Sequence, residues 1–285
     1  MSFLVGIARA AMNAVILAWS SALLILTQGA CADGLEAEGR EAAQIEYQVY
    51  LSRWAGDIKG YLQTPDGGMP GRTDRHRPTF AELGIETADR EVAGMHINVG
   101  HHQFLLESQR MRFEEELLLD APLLSQWIQF DAGEAVKTQI KMDAWRFRYS
   151  QKREVITVPG LSFQPGAEIY LMDFHYRLFN TDKKVDRSYM KAGYRLGAAV
   201  NYAVSSRFLL VAEFYQSLPF PNTVDTTSLG IHGYYDLLPG DGELMLMVGV
   251  SHRKLRYKDE QEVPNNLVAE TSPAINIGIR YTLGF

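Results

Sequence analysis

Asp173, His175 and Arg177 stand two residues apart in the stretch D-F-H-Y-R. On an extended strand that spacing sets an acid, a base and a cation in a row on one face, about 7 Å apart at each step. His232 and Asp236 share a face in a second such stretch, and Ser251 precedes His252 in a third. Brought together in space, these residue types could form a nucleophile–base–acid arrangement for hydrolysis. The plainer reading is a polar network, because seven histidines and 34 acidic residues generate such pairs by chance. No arrangement meets the geometric requirements of an active site, and no catalytic residue is assigned.

His96, His101 and His102 suggest a metal site only until alternation is considered. On a strand, His96 and His102 are expected inward and His101 outward, with the first two about 20 Å apart, too far to share an ion. No metal and no cofactor is therefore expected. Residues 64–90, expected to form a long extracellular loop, hold Pro65, Gly67, Gly68, Pro70, Gly71 and Pro78, too many breakers for a strand. They lack the G-K-[ST] that a phosphate-cradling loop requires. Arg72, Arg75 and Arg77 in this loop could meet phosphate groups or form a solvated face.

Positioning comes from strands. Over Ile275 to Phe285, Ile275, Ile277, Ile279, Tyr281, Leu283 and Phe285 fall on one face and Asn276, Gly278, Arg280, Thr282 and Gly284 on the other. A period of two this regular places a strand between two different environments. The same alternation runs through about Ile45–Leu62, Ala93–His102, Met111–Leu119, Val136–Tyr149, Glu168–Leu178, Met190–Tyr202, Phe208–Tyr215, Leu229–Leu237 and Leu244–Val250 onward. A tight turn is expected near Ser108. The alternation changes phase near Trp54 and near Ala144, which is read as β-bulges. Long connections alternate with short ones, except that residues 150–165 are longer than expected and could hide further strand. The predicted fold is all-β, an antiparallel transmembrane barrel of about ten strands, between 8 and 12. A secreted β-sandwich also alternates, but would not carry Tyr and Leu so consistently on its outer face.

The closing strand with its terminal Phe285 resembles that of Gram-negative outer-membrane β-barrels of porin-like type. The resemblance covers the leader, the strand–loop rhythm and the last strand, and it specifies no family within the class. It implies that Gly278, Tyr281, Leu283 and Phe285 are read by the barrel-assembly machinery, and that the partners are outer-membrane lipid and lipopolysaccharide. The H-x-S-N stretch of lipid A deacylase barrels, the serine-and-asparagine strand motif of the outer-membrane phospholipase, and the paired-Asp and Asp-His signature of omptin proteases are not found. Residues 1–32 carry Arg9, an apolar run and Ala30-Cys31-Ala32, which reads as a cleaved signal peptide. An uncleaved anchor is the alternative; a lipidated Cys31 is disfavoured by Gln28. Cleavage before Asp33 would leave a single barrel domain, 33–285, without cysteine. Localisation in the bacterial outer membrane follows as the expectation.

Composition agrees: 46% hydrophobic residues with fourteen Tyr, thirteen Phe and four Trp suit a barrel with aromatic girdles. The net charge of −6, with no basic patch, argues against nucleic acid. With apolar faces towards lipid, the polar faces predict a lumen lined by Glu114, Glu116, Lys141, Asp143, Arg146, Arg148, Asp173, His175, Arg177, Lys191, Arg195, Glu213, His232, Asp236 and Arg280. Such charges either pair across the bore and plug it or line a narrow ion-selective channel. The functional expectation is a porin-like narrow channel or a mostly plugged structural barrel, with a hydrolase at rim or lumen as the alternative.

Overall fold

The alternating segments are long enough to cross a bilayer and continue well past it. The computed structural model describes residues 45–63, 78–125, 128–238, 242–260 and 266–284. In chain order the strands are β1 (Ile45–Gln63), β2 (Thr87–Val99), β3 (His102–Leu118), β4 (Leu123–Ser125), β5 (Ile128–Phe130), β6 (Ala135–Gln151) and β7 (Arg153–Glu154). They continue with β8 (Leu161–Phe179), β9 (Lys184–Ser205), β10 (Phe208–Ser217), β11 (Asp225–Leu238), β12 (Gly242–Lys258) and β13 (Asn266–Gly284). The long strands pair antiparallel with their neighbours along the chain, and β1 closes the ring by pairing with β13. The product is a ten-stranded barrel with no open edge. Strands β4 and β5 form a separate hairpin in the connection from β3 to β6, and β7 pairs with the start of β8.

Two boundaries differ from the sequence expectation. The turn after β2 lies at Gly100 and His101, with Gly100 at φ 56°, and β3 runs uninterrupted through Ser108. The connection at residues 150–165 does hold more strand, because β8 begins at Leu161 and β7 pairs with it. Strand β2 also begins at Thr87, inside the segment expected to be loop.

The phase changes have a different origin from bulges. In β6, the register against β8 is continuous from Lys137 to Ser150, so no residue is inserted at Ala144. In β1, the pairing with β2 is likewise continuous through Trp54. The register shift against β13 falls between Gly56 and Ile58. The extra residue is in β13, at Ser272 and Pro273, where proline's missing N–H costs no ladder bond.

What inverts is the environment. At the end of the barrel holding the short turns, the outward residues are apolar: Val49 and Leu51 on β1, Tyr194 and Leu196 on β9, Ile275 to Tyr281 on β13, all exposed. The inward residues there are polar. At the opposite, loop end the pattern reverses: outward positions carry Arg53, Glu114, Glu116, Lys137 and Asp186, while inward positions carry Ile58, Phe113, Ile140, Phe174 and Tyr257. Strands β1, β8 and β13 are 19 residues long. At ~3.3 Å per residue and a tilt near ~40°, they rise well beyond an apolar belt of ~25 Å. The barrel therefore has two storeys, a membrane storey with a polar lumen and a second one with an ordinary water-facing exterior and an apolar core.

This assignment makes a depth-dependent prediction. Ile279→Arg, within the belt and opposite Leu51 of β1, is expected to cost about 2–4 kcal/mol in lipid vesicles, and Glu116→Arg on the outer face of the upper storey less than about 0.5 kcal/mol. Urea unfolding of both variants in bilayers measures it; equal costs would rule out the two-storey division.

Candidate functional site in the lumen

The polar lumen is built from cross-strand neighbours. Tyr50 on β1, Gly94 on β2, Glu107 on β3 and Arg146 on β6 lie opposite one another in register. Because Gly94 has no side chain, the Tyr50 ring lies across it, occupying the space a Cβ would take, and its hydroxyl donates to Glu107. Arg146 Nη1 donates to Glu107 Oε1 at 2.8 Å, and its Nη2 donates to Glu168 Oε2 at 3.0 Å. Glu168 on β8 sits directly between Arg148 of β6 and Arg195 of β9 in register. It accepts from Arg148 Nε at 3.0 Å and Arg195 Nη1 at 2.7 Å, with its side chain fully buried. Arg148 Nη1 then reaches across the bore to Glu213 Oε2 on β10 at 3.2 Å, and its guanidinium lies 3.8 Å from the Tyr215 ring centroid. His232 Nε2 on β11 stands 4.0 Å from Glu213. The network thus spans β1 to β11 around and across the bore, with alternating charge satisfying the electrostatic demand of burial.

Above it lies the apolar storey. Phe80, Leu83 and Ile85, from the connection entering β2, are buried against Phe113, with Phe80 and Phe113 centroids 6.0 Å apart. Backbone bonds tie this connection to β1: Leu62 N donates to Pro78 O at 2.9 Å and Phe80 N to Gly60 O at 3.2 Å. Phe130 of the β4–β5 hairpin, with Tyr176, Val224 and Tyr257, completes a core with almost no exposure.

Of the residues expected to line the lumen, Arg146, Arg148, Lys191, Arg195, Glu213, His232, Asp236 and Arg280 occupy inward positions. Glu114, Glu116, Lys141, Asp143, Asp173, His175 and Arg177 do not, and this corrects the sequence expectation. They lie on the outer face of the upper storey, where water replaces lipid and polar side chains belong outside. There they form surface pairs: Lys141 Nζ with Asp173 at 2.9 Å and Asp143 at 3.4 Å, Glu116 with Lys137 at 3.2 Å, and Glu114 Oε1 accepting from Gln139 at 3.0 Å. Asp186 takes bonds from His175 at 2.7 Å and Arg177 at 3.2 Å. Burial alone would raise the Asp186 carboxyl, but the hydrogen bonds from His175, Lys184 and Arg177 outweigh it and hold it at about 2.

The hydrolytic combinations are dispersed accordingly. Asp173 and His175 are outside the wall, while His232 and Ser251 are inside it. His102, expected inward, faces outward and bonds to the Tyr149 hydroxyl at 2.8 Å. Among the described residues no group of three His, Cys, Asp or Glu side chains could hold a metal ion. Gly278, Tyr281 and Leu283 lie on β13, with Tyr281 and Leu283 outward. Phe285, the leader and the Arg72–Arg75–Arg77 cluster lie outside the described residues.

Sequence reasoning missed Tyr50, Arg90, Glu107, Gln109, Glu168 and Arg253, which lie in the lumen or beneath its roof, Tyr50 half-buried and the others buried. The signal for Glu107 was its parity with Leu105 and Met111, obscured by placing a turn at Ser108. Glu168 lay at the edge of a strand segment begun too late.

An even number of antiparallel strands closed into a ring, with an apolar outward belt and a charged lumen, defines a membrane-spanning barrel of the outer-membrane class. No family model matches the chain, and no curated protein resembles it in sequence. Among solved structures it is similar to the outer membrane protease OmpT of Escherichia coli, at 11% identity and a TM-score of 0.44, over 87% of this chain and 99% of that one. It is also similar to an outer membrane channel of Pseudomonas putida F1, at 8% identity and 0.38, over 89% and 100%. The translocator domain of the autotransporter NalP from Neisseria meningitidis gives 13% identity and 0.38, over 92% and 97%.

Proposed function

We propose that the protein is a closed barrel of the bacterial outer membrane, a plugged structural scaffold that does not conduct along its axis. The observation that carries this reading is the double closure of the bore. The Arg146–Glu168–Arg148–Glu213 network crosses the membrane storey, and the core around Phe80, Phe130, Tyr176 and Tyr257 fills the storey above it. A conducting pore needs a continuous polar path, and an apolar core without one is a barrier to ions. Export by a cleaved leader, insertion by the assembly machinery reading the last strand, and contact of the upper rim with lipopolysaccharide belong to the same proposal.

The test is conductance of the purified protein in a planar bilayer. Well-inserted barrels are expected to give no discrete steps, and the same preparation should show heat-modifiable migration as proof of folding. Reproducible steps from folded protein would overturn the proposal in favour of a channel, whose selectivity would then be read by charge reversal at Arg146 or Arg148.

A further inference from the structure

The lumen holds more buried cations than anions. Arg146, Arg148 and Arg195 are matched by Glu107, Glu168 and Glu213. Arg90, Arg253 and Arg280 have no carboxylate within ion-pair distance among the described residues. Asp236 accepts from the backbone N–H of Leu238 at 3.1 Å.

Arg90 and Arg253 form the sharpest part of this imbalance. Arg90, opposite Trp54 in register, and Arg253, opposite Thr271, come from β2 and β12 and converge on Gln109 of β3. Both donate through Nη1 to the same Gln109 Oε1, Arg90 at 3.0 Å. Gln109 is itself held by donating from Nε2 to Glu107. The Arg90 guanidinium stacks 3.1 Å from the Trp54 ring centroid, and that of Arg253 lies 4.8 Å from Tyr170. The two arginines are 5% and 7% exposed, so water does little to separate their charges. Yet Arg90 Nε, Arg253 Nε and Arg253 Nη2 have no hydrogen-bond acceptor. On Arg253 the two free donors are neighbours on one edge of the guanidinium, the fork that receives two oxygens of an oxyanion. Both side chains line a polar cavity of about 150 Å³, together with Ser251, whose hydroxyl also lacks a partner.

Two guanidiniums anchored on one oxygen, without a counter-charge, would be costly to bury. Surrounding protein groups hold them in place but leave their donors unused. We propose that Arg90 and Arg253 form a binding site for a small divalent oxyanion, of the phosphate or sulfate type, at the roof of the lumen. The anion would take the Nε–Nη2 edge of Arg253 and the Nε of Arg90 and supply the missing negative charge. Chloride carries one charge and one acceptor centre, so it would leave one of the two guanidiniums uncompensated. The cavity that reaches Arg90 and Arg253 is also lined by Gln48 and Gln103 near the short-turn end, so an anion enters from that side without conduction along the whole axis, and failure of one proposal leaves the other intact.

The experiment titrates inorganic phosphate and, separately, sulfate into the purified full-length protein in detergent. Sodium chloride at matched ionic strength is the reference, read by calorimetry and by thermal unfolding. The expected result is one saturable site and a rise in melting temperature of about 5 °C at saturation. Arg253→Gln and Arg90→Gln should each weaken binding at least tenfold, while melting in chloride no lower than the native protein, since each removes an uncompensated buried charge. Arg53→Gln on the outer face should bind as the native protein does. The proposal is overturned if the native protein shows neither heat nor shift in phosphate and sulfate. It is equally overturned if both lumen variants keep the native shift, which would mark a general salting effect. If one variant does not fold, the other carries the test.

Discussion

Glu168→Ala is expected to cost the barrel about 3–5 kcal/mol, the range for breaking a buried ion pair by deleting one partner. Three guanidiniums converge on this carboxylate, from Arg146, Arg148 and Arg195, and its side chain has no exposure. Arg148 and Arg195 would be left facing each other across the space it occupied, one on each neighbouring strand. The network as a whole need not contribute net stability relative to an apolar lumen, because desolvating its charges is expensive. Removing one sign alone is what destabilises. A double-mutant cycle separates the two effects: Glu168→Ala with Arg195→Leu should recover part of the loss, as contacting residues couple by 0.5–3 kcal/mol in general, roughly. The measurement is the urea midpoint of the refolded barrel in detergent or vesicles. A loss under about 1 kcal/mol for Glu168→Ala would mean that the lumen is hydrated enough to carry unpaired arginines.

The alternation of Ile275 to Leu283 was sufficient to read a membrane strand, and the count of ten strands followed from repeating that reading. What did not follow was the inside–outside assignment of half the charges. A strand with a period of two reports that its faces differ, not which face is the interior. Taking lipid as the outer solvent throughout put Lys141, Asp173 and His175 inside, whereas above the belt the outer solvent is water. The sign of this was in the sequence: at Trp54 and Ala144 the apolar parity flips, while in the structure the backbone continues without an inserted residue. A bulge and a change of surroundings produce the same flip, and only pairing with a neighbour strand tells them apart. The Arg90–Arg253 pair was illegible for another reason. Its two members are more than 160 positions apart in the chain, and only barrel closure brings β12 and β2 to the same glutamine.

Phe80→Ala tests the upper storey, and its expected cost is about 3–5 kcal/mol, as for other fully buried phenylalanines. Phe80 has no exposed surface. Its ring packs against Phe113, its N–H donates to Gly60 O, and its carbonyl accepts from Leu83 at 3.1 Å and Ile85 at 2.8 Å. Truncation removes the side chain that holds this connection against the inner wall, while leaving the backbone bonds in place. The damage should be local: the connection around Pro78–Leu83 becomes sensitive to protease, and the belt stays inserted because none of its residues touches the cavity. Val49→Ala, outward in the belt and 43% exposed, should lose less than about 1 kcal/mol. Limited proteolysis of inserted protein, followed by urea unfolding, reads both parts. If Phe80→Ala is as mild as Val49→Ala, the connection does not plug the barrel and the upper storey is an open vestibule; a large loss with selective nicking near residue 80 supports closure by an apolar core.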